Sequence, residues 1–231
     1  MKRILVAGVT IALALAACGK SNDNNGASTT SSSTAPATST STSLAGLEQP
    51  AIWPTADTYF ATPAAAASDF VSKVLGVPPV LGDFQQGDTT SGEMLVYSQP
   101  EGSSQKTERS RLLLRQLGAR HGWFITAAVN DSEVFSSPVA RATVSAGSLT
   151  VTGKGRGFEA LVLVQAFVAG NATKLASAQG HGGSMATPEA FSVTLDLSAA
   201  HPGDTVMLLM KGGVGLETDP GDFSAIPVVV S

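Results

Sequence analysis

One cysteine, Cys18, is the whole supply of thiol in the chain. No disulfide can form within it, so the folded part must be held by its core alone. Histidine is nearly as scarce. His121, His181 and His201 are scattered, with no His-x-x-x-His pair and no second cysteine to complete a zinc site, and no metal is expected. No apolar run reaches the roughly 20 residues that a membrane-spanning helix needs. Positive charge is also short, at 14 Lys+Arg against 18 Asp+Glu. A mildly acidic chain is poorly suited to nucleic acid or to anionic headgroups. No cofactor motif stands out either. Gly153-Lys154-Gly155-Arg156-Gly157 lacks the Walker spacing and no helix follows it, so its glycines read as a bulge or bend at a strand end.

What is present begins at the amino terminus. Lys2 and Arg3 are followed by an apolar stretch from Ile4 to Ala17 and by Leu15-Ala16-Ala17-Cys18. A charged start, a short apolar run and small residues before a cut site predict a signal peptide over residues 1–17. The Leu-Ala-Ala-Cys run resembles the lipobox of bacterial lipoproteins. That resemblance implies a diacylglyceryl group on the Cys18 sulfur and an acylated new amino terminus, palmitate being the expected chain, and two or three acyl chains anchor stably where one is marginal. Loss of Lys2 and Arg3 leaves 12 Lys+Arg against 18 Asp+Glu. The expected location is the extracytoplasmic face of the plasma membrane, with membrane contact through the lipid alone.

Residues 18–52 are almost entirely Ser, Thr, Asn, Ala and Gly, too polar to offset the entropy of ordering the chain. They read as a tether, which as a flexible coil of roughly 32 residues would span about 30 Å. From Trp53 onward the pattern changes. Thr62-Pro63 predicts an N-cap and first helical residue, with Phe70, Val71, Val74 and Leu75 at helical spacing and Gly76 ending the helix. Strand-like runs follow at 80–86, 93–98, 110–117 and 123–129, the last two flanking a hairpin loop at residues 118–122. Residues 53–133 thus predict a small α+β domain, one helix on an antiparallel sheet. Residues 134–231 carry seven candidate strands, at 140–145, 148–154, 160–169, 173–179, 189–196, 205–211 and 226–230, which argue for a β-sandwich. The fold class is mainly β.

Ser136-Ser137-Pro138, Leu149-Thr150-Val151-Thr152-Gly153, Phe158-Glu159-Ala160 and Ile226-Pro227-Val228-Val229-Val230 together resemble the Gmad2 family, the bacterial spore-germination immunoglobulin-like domain. The likeness covers roughly residues 134–231 and is most specific at Gly-x-x-x-x-Phe-Glu. It implies an immunoglobulin-like sandwich with no catalytic residues. Ala160 stands where that family usually has glycine. A helix-plus-sheet unit ahead of such a domain also resembles actinobacterial lipoproteins.

Three further motifs have plain readings. Gly182-Gly183-Ser184-Met185-Ala186 misses the Gly-x-Ser-x-Gly elbow by its last residue, and Pro188 with a strand pattern follows where a helix is required. His121 falls in the hairpin loop and His201 before Pro202, both ordinary surface contexts. Glu217, Asp219 and Asp222 could gather around a weakly bound calcium ion, but Asp219-Pro220-Gly221-Asp222 is a turn sequence in its own right.

The feature with most functional content is a pair of strands that are apolar on both faces. On 160–169, Val162, Val164 and Ala166 alternate with Leu161, Leu163, Gln165 and Phe167; on 205–211, Val206, Leu208 and Met210 alternate with Met207 and Leu209. As neighbours in one sheet they would merge Leu161, Leu163, Phe167, Met207 and Leu209 into one patch. Such a patch is either a partner surface or the place where the two domains pack. The expected function is a noncatalytic, membrane-anchored lipoprotein of the cell envelope, acting as a binding or adaptor module toward an envelope protein. The alternatives are an envelope hydrolase with a dispersed site, such as Ser184 with His181 or His201, or a small-ligand or lipid carrier.

Overall fold

The computed structural model describes residues 47–231. The expected signal peptide, Cys18 and the tether up to residue 46 lie outside the described residues. The fold is mainly β, with antiparallel sheets and one helix. Among the described residues no helix is long and apolar enough to cross a membrane.

The helix forms as its sequence predicts. In α1 (Pro63–Phe70) the Thr62 hydroxyl accepts from the Ala65 backbone N–H at 3.2 Å, filling one of the donors a helix start leaves open, and Pro63 occupies the first turn. The helix then widens into a π segment, Val71–Leu75, which the spacing does not reveal. Gly76 closes it in the left-handed conformation at φ 71°, where a Cβ would be strained. Ala66, Ala67, Phe70, Val71 and Leu75 make its buried side.

Twelve strands follow: β1 (Gln85–Asp88), β2 (Ser91–Ser98), β3 (Thr107–Leu117), β4 (Gly122–Val129), β5 (Val134–Ser137), β6 (Thr143–Val144), β7 (Ser148–Gly155), β8 (Leu161–Val168), β9 (Lys174–His181), β10 (Glu189–Asp196), β11 (Thr205–Gly212) and β12 (Asp222–Val230). One large sheet runs β1-β2-β3-β4-β12-β11-β8-β9, with β6 added in parallel to the end of β12. A second sheet has the order β10-β7-β5. The large sheet continues across the junction expected near residue 134. β4 meets β12 at a single pair, Ala128 opposite Ala225.

Two cores lie on opposite faces of this sheet. On one, α1 and the segment ahead of it share a core with β2, β3, β4, β11 and β12, gathering Phe70, Leu112, Ile125, Met207, Leu209 and Phe223. On the other, the three-stranded sheet packs against β8, β11 and β12, gathering Val151, Val193, Val164, Val206, Leu208 and Ile226. Strand β11 belongs to both cores, and seven of its eight residues are buried. The apolar doubling seen in the sequence is therefore the mark of a strand between two layers. Each fully buried leucine there contributes on the order of 1.5–3 kcal/mol.

The segment ahead of α1 also joins the fold. Leu47, Ala51 and Ile52, before the expected start at Trp53, are already buried. Ile52 donates its N–H to the Ile125 carbonyl at 2.8 Å, and its own carbonyl accepts from Gly170 at 3.0 Å, bridging β4 and the turn after β8.

Three sequence expectations are adjusted. Residues 80–84 lie along β2, with Gly82 N–H to Leu95 O at 2.9 Å and Tyr97 N–H to Val80 O at 2.8 Å, yet the regular ladder starts only at Gln85. The strand expected at 140–145 shrinks to Thr143–Val144, since Arg141 turns at φ 67°. Strand β5 arises from Val134–Ser137, a run too short to register as periodic.

Candidate functional site

The junction between the two cores carries the densest chemistry in the described chain. Arg109 on β3 donates to Asp219 at 2.5 Å and to Asp222 at 3.3 Å. Arg156, just past β7, donates to the other oxygen of Asp222 through Nη2 at 2.9 Å and Nε at 3.2 Å. The Asp222 side chain is only 11% exposed, so these pairs work in a weakly screened setting. One carboxylate at the head of β12 thus ties the α+β half to the sandwich half.

Glu133 completes the cluster from the turn between β4 and β5. It is 1% exposed, and its Oε1 accepts from the Arg156 backbone N–H at 2.9 Å. Its Oε2 has no partner. Burial raises its pKa to about 8, with the neighbouring Asp222 charge adding to the rise and the Arg156 N–H and guanidinium opposing it. Two guanidiniums already balance Asp219 and Asp222, so a protonated Glu133 leaves the cluster neutral. Glycine makes room for it: a Cβ on Gly155 would lie 2.6 Å from Oε2, and one on Gly212 would lie 2.8 Å from Oε1. The cluster is a clamp, with its charges spent on one another.

Beside it lies an apolar cleft of about 350 Å³. β4 and β12 part after Ala128, the turn from Asn130 to Glu133 carries the chain into the second sheet, and the space between is walled by Val129, Val134, Phe135, Val139, Ala140 and Ile226. Val129, Val134 and Val139 are 42%, 44% and 64% exposed, three valines open to solvent around one opening. Asn130, Asp131 and Ser224 give it a polar edge. Apolar walls with a polar rim are the usual makeup of a contact site.

The residues singled out from sequence separate into groups. Phe167, Met207 and Leu209 are buried in the core that also holds α1, so that part of the patch is internal packing. Leu161 and Leu163 stay half-buried and line a different groove. Ser184 is exposed in a loop with no helix after it, and neither His181 nor His201 is bonded to it. His121 turns at φ 51° in the β3–β4 loop, and His201 is exposed with Asp204 at 3.5 Å. Asp219 and Asp222 hold guanidiniums in the place of the calcium ion considered from their spacing, and Glu217 is exposed in the turn before them. Gly153 and Gly155 sit at close approaches within the sandwich, as a strand-end bend requires.

Sequence reasoning missed Arg109 and Glu133, and the pairing of Arg156, because the three come from distant segments with no shared spacing. It missed the cleft because valines at strand ends read as core. One local feature emerges only from the structure: Glu159 and Ala160 both adopt left-handed φ, 55° and 58°, in the 3₁₀ turn Phe158–Ala160, where glycine is the residue without strain. Replacing Ala160 by glycine should therefore stabilise the fold by about 1 kcal/mol, a melting-temperature rise of roughly 2–4 °C. Differential scanning calorimetry reads this directly, and a drop in melting temperature would remove strain from the account of this turn.

Comparison with known proteins returns no match: no family model, no curated protein and no solved structure is similar to the chain.

Proposed function

We propose that the protein is a noncatalytic lipoprotein of the bacterial cell envelope, anchored through Cys18 and presenting its folded unit as a binding or adaptor module. The anchor rests on Leu15-Ala16-Ala17-Cys18 at the end of a short apolar run, and the reach on the Ser/Thr-rich tether behind it. The resemblance of residues 134–231 to the Gmad2 immunoglobulin-like domain agrees with a scaffold for binding, and fold alone does not name the task. The single observation that carries the reading is the cleft at the β4–β5 junction. Exposed valines gathered around one opening are unfavourable for an isolated protein and useful for one that meets a partner. The partner fitted to it is an envelope protein that inserts an apolar side chain between Val129, Val134 and Val139.

The test is site-specific photocrosslinking in intact cells, with the photoreactive residue at position 131 on the rim. A discrete adduct is expected in the wild type and its loss in Val139→Asp, with the melting temperature unchanged because Val139 is mostly in solvent. The same adduct in both proteins would clear this cleft of a binding role.

A further inference from the structure

The part of the apolar face outside the core shared with α1, at Leu161 and Leu163, has its own chemistry. Leu163 on β8 lies opposite Lys211 on β11 and Gln179 on β9. With Leu161, Phe158, Gly213 and Gly215 these residues line a groove of about 220 Å³. Phe158 is its outer wall and is 55% exposed, a large aromatic ring held toward water. The wall is fixed in place, since the Phe158 N–H donates to the Gly213 carbonyl at 2.8 Å. The turn that presents the ring contains the left-handed pair Glu159 and Ala160. Backbone strain of this kind persists where the surroundings enforce it, and it gathers at ligand sites.

Lys211 gives the groove a sign. Among the described residues it forms no ion pair; Lys106, Arg120, Arg141, Lys154 and Lys174 form none either, but those five are exposed, whereas Lys211 is half-buried. Burial lowers its pKa, and the nearby Lys174 charge lowers it further. An ammonium lying along apolar walls without a counter-ion carries a desolvation cost that a bound anion would offset. The geometry points to a binding site for a single-chain anionic amphiphile: a fatty carboxylate with its chain along Phe158, Leu161 and Leu163 and its head group on the Lys211 ammonium. This site is separate from the valine cleft and stands or falls without it.

The probe is a diazirine-bearing decanoate, photolysed with the full chain in phosphatidylcholine nanodiscs and mapped by peptide mass spectrometry. Labelling is expected on the peptide carrying Phe158 to Leu163. Unlabelled decanoate should suppress it, while decanol at the same concentration should not. Lys211→Met should reduce labelling about tenfold, as loss of one charge-assisted contact does. Its melting temperature should not fall, because the change removes a partly desolvated charge. Phe158→Ala, at an exposed side chain, should also reduce labelling, and Val139→Asp should leave it unchanged. Labelling spread along the chain, equal competition by decanol, or wild-type labelling in Lys211→Met would each overturn the assignment. Loss of labelling in Val139→Asp would also overturn it, by placing the amphiphile in the valine cleft.

Discussion

Glu133→Gln should flatten the pH dependence of stability. In the wild type the folded protein keeps a proton on Glu133 up to about pH 8, while the unfolded chain releases it near 4.5. The contribution of this group is complete below about 4.5 and declines as pH rises toward 8, by up to ~1.4 kcal/mol per pH unit, because the unfolded state alone gives up its proton over that range. Above about 8 the folded state ionises too, and nothing further is lost. Glutamine has the shape of the protonated acid. Its carbonyl can accept from the Arg156 N–H in place of Oε1, and it cannot ionise. Urea unfolding at pH 5, 7 and 9 should therefore give nearly equal stabilities for the two proteins at pH 5. At pH 9 the variant should lead by an amount of order 3 kcal/mol. Parallel curves across the range would mean that Glu133 is already ionised in the folded protein at neutral pH.

Asp222→Ala should be the most damaging single change in the junction. Asp222 is the shared acceptor of Arg109 and Arg156, and its removal strands Arg156 while Arg109 retains Asp219. Breaking one side of a buried ion pair costs about 3–5 kcal/mol, since the remaining charge stays desolvated. At roughly 2–4 °C per kcal/mol for a domain of this size, the melting temperature should fall by about 10 °C. The change should also couple to Glu133. Without the Asp222 charge, one of the influences raising the Glu133 pKa disappears and Arg156 is freed to attract an ionised carboxylate. A double-mutant cycle with Glu133→Gln should accordingly be non-additive. Strict additivity, or a loss below 1 kcal/mol, would show that solvent screens the cluster and that the halves are held by their apolar contacts.

Local features were legible in the sequence because local physics decides them. The Thr62 cap, Pro63 and Gly76 bound the helix in the sequence as they do in the structure. The alternation of Phe191, Val193 and Leu195 marks a half-buried strand, and all three are buried against β7 and β8. The left-handed positions at Glu159 and Ala160 had no signal in the sequence, since neither residue type favours that conformation. Where two apolar faces occurred on one strand, as on β11, the sequence declared that both would be covered and was silent about by what.

Coverage was settled by chain-distant contacts. Met207 and Leu209 share a core with α1, well over a hundred positions away in sequence, while Leu161 and Leu163 line a groove. Arg109, Glu133, Arg156 and Asp222 converge because β3, β7 and β12 end at the same place, and their mutual attraction follows from that convergence. The pattern of short apolar runs by itself determined that the chain would be mainly β, and the single cysteine that no disulfide would form within it. Only the tertiary structure decided which apolar residues became core, which stayed open as cleft and groove, and which charges met, because hydrophobic burial is blind to sequence order and a buried charge is tolerated only where the fold supplies its partner.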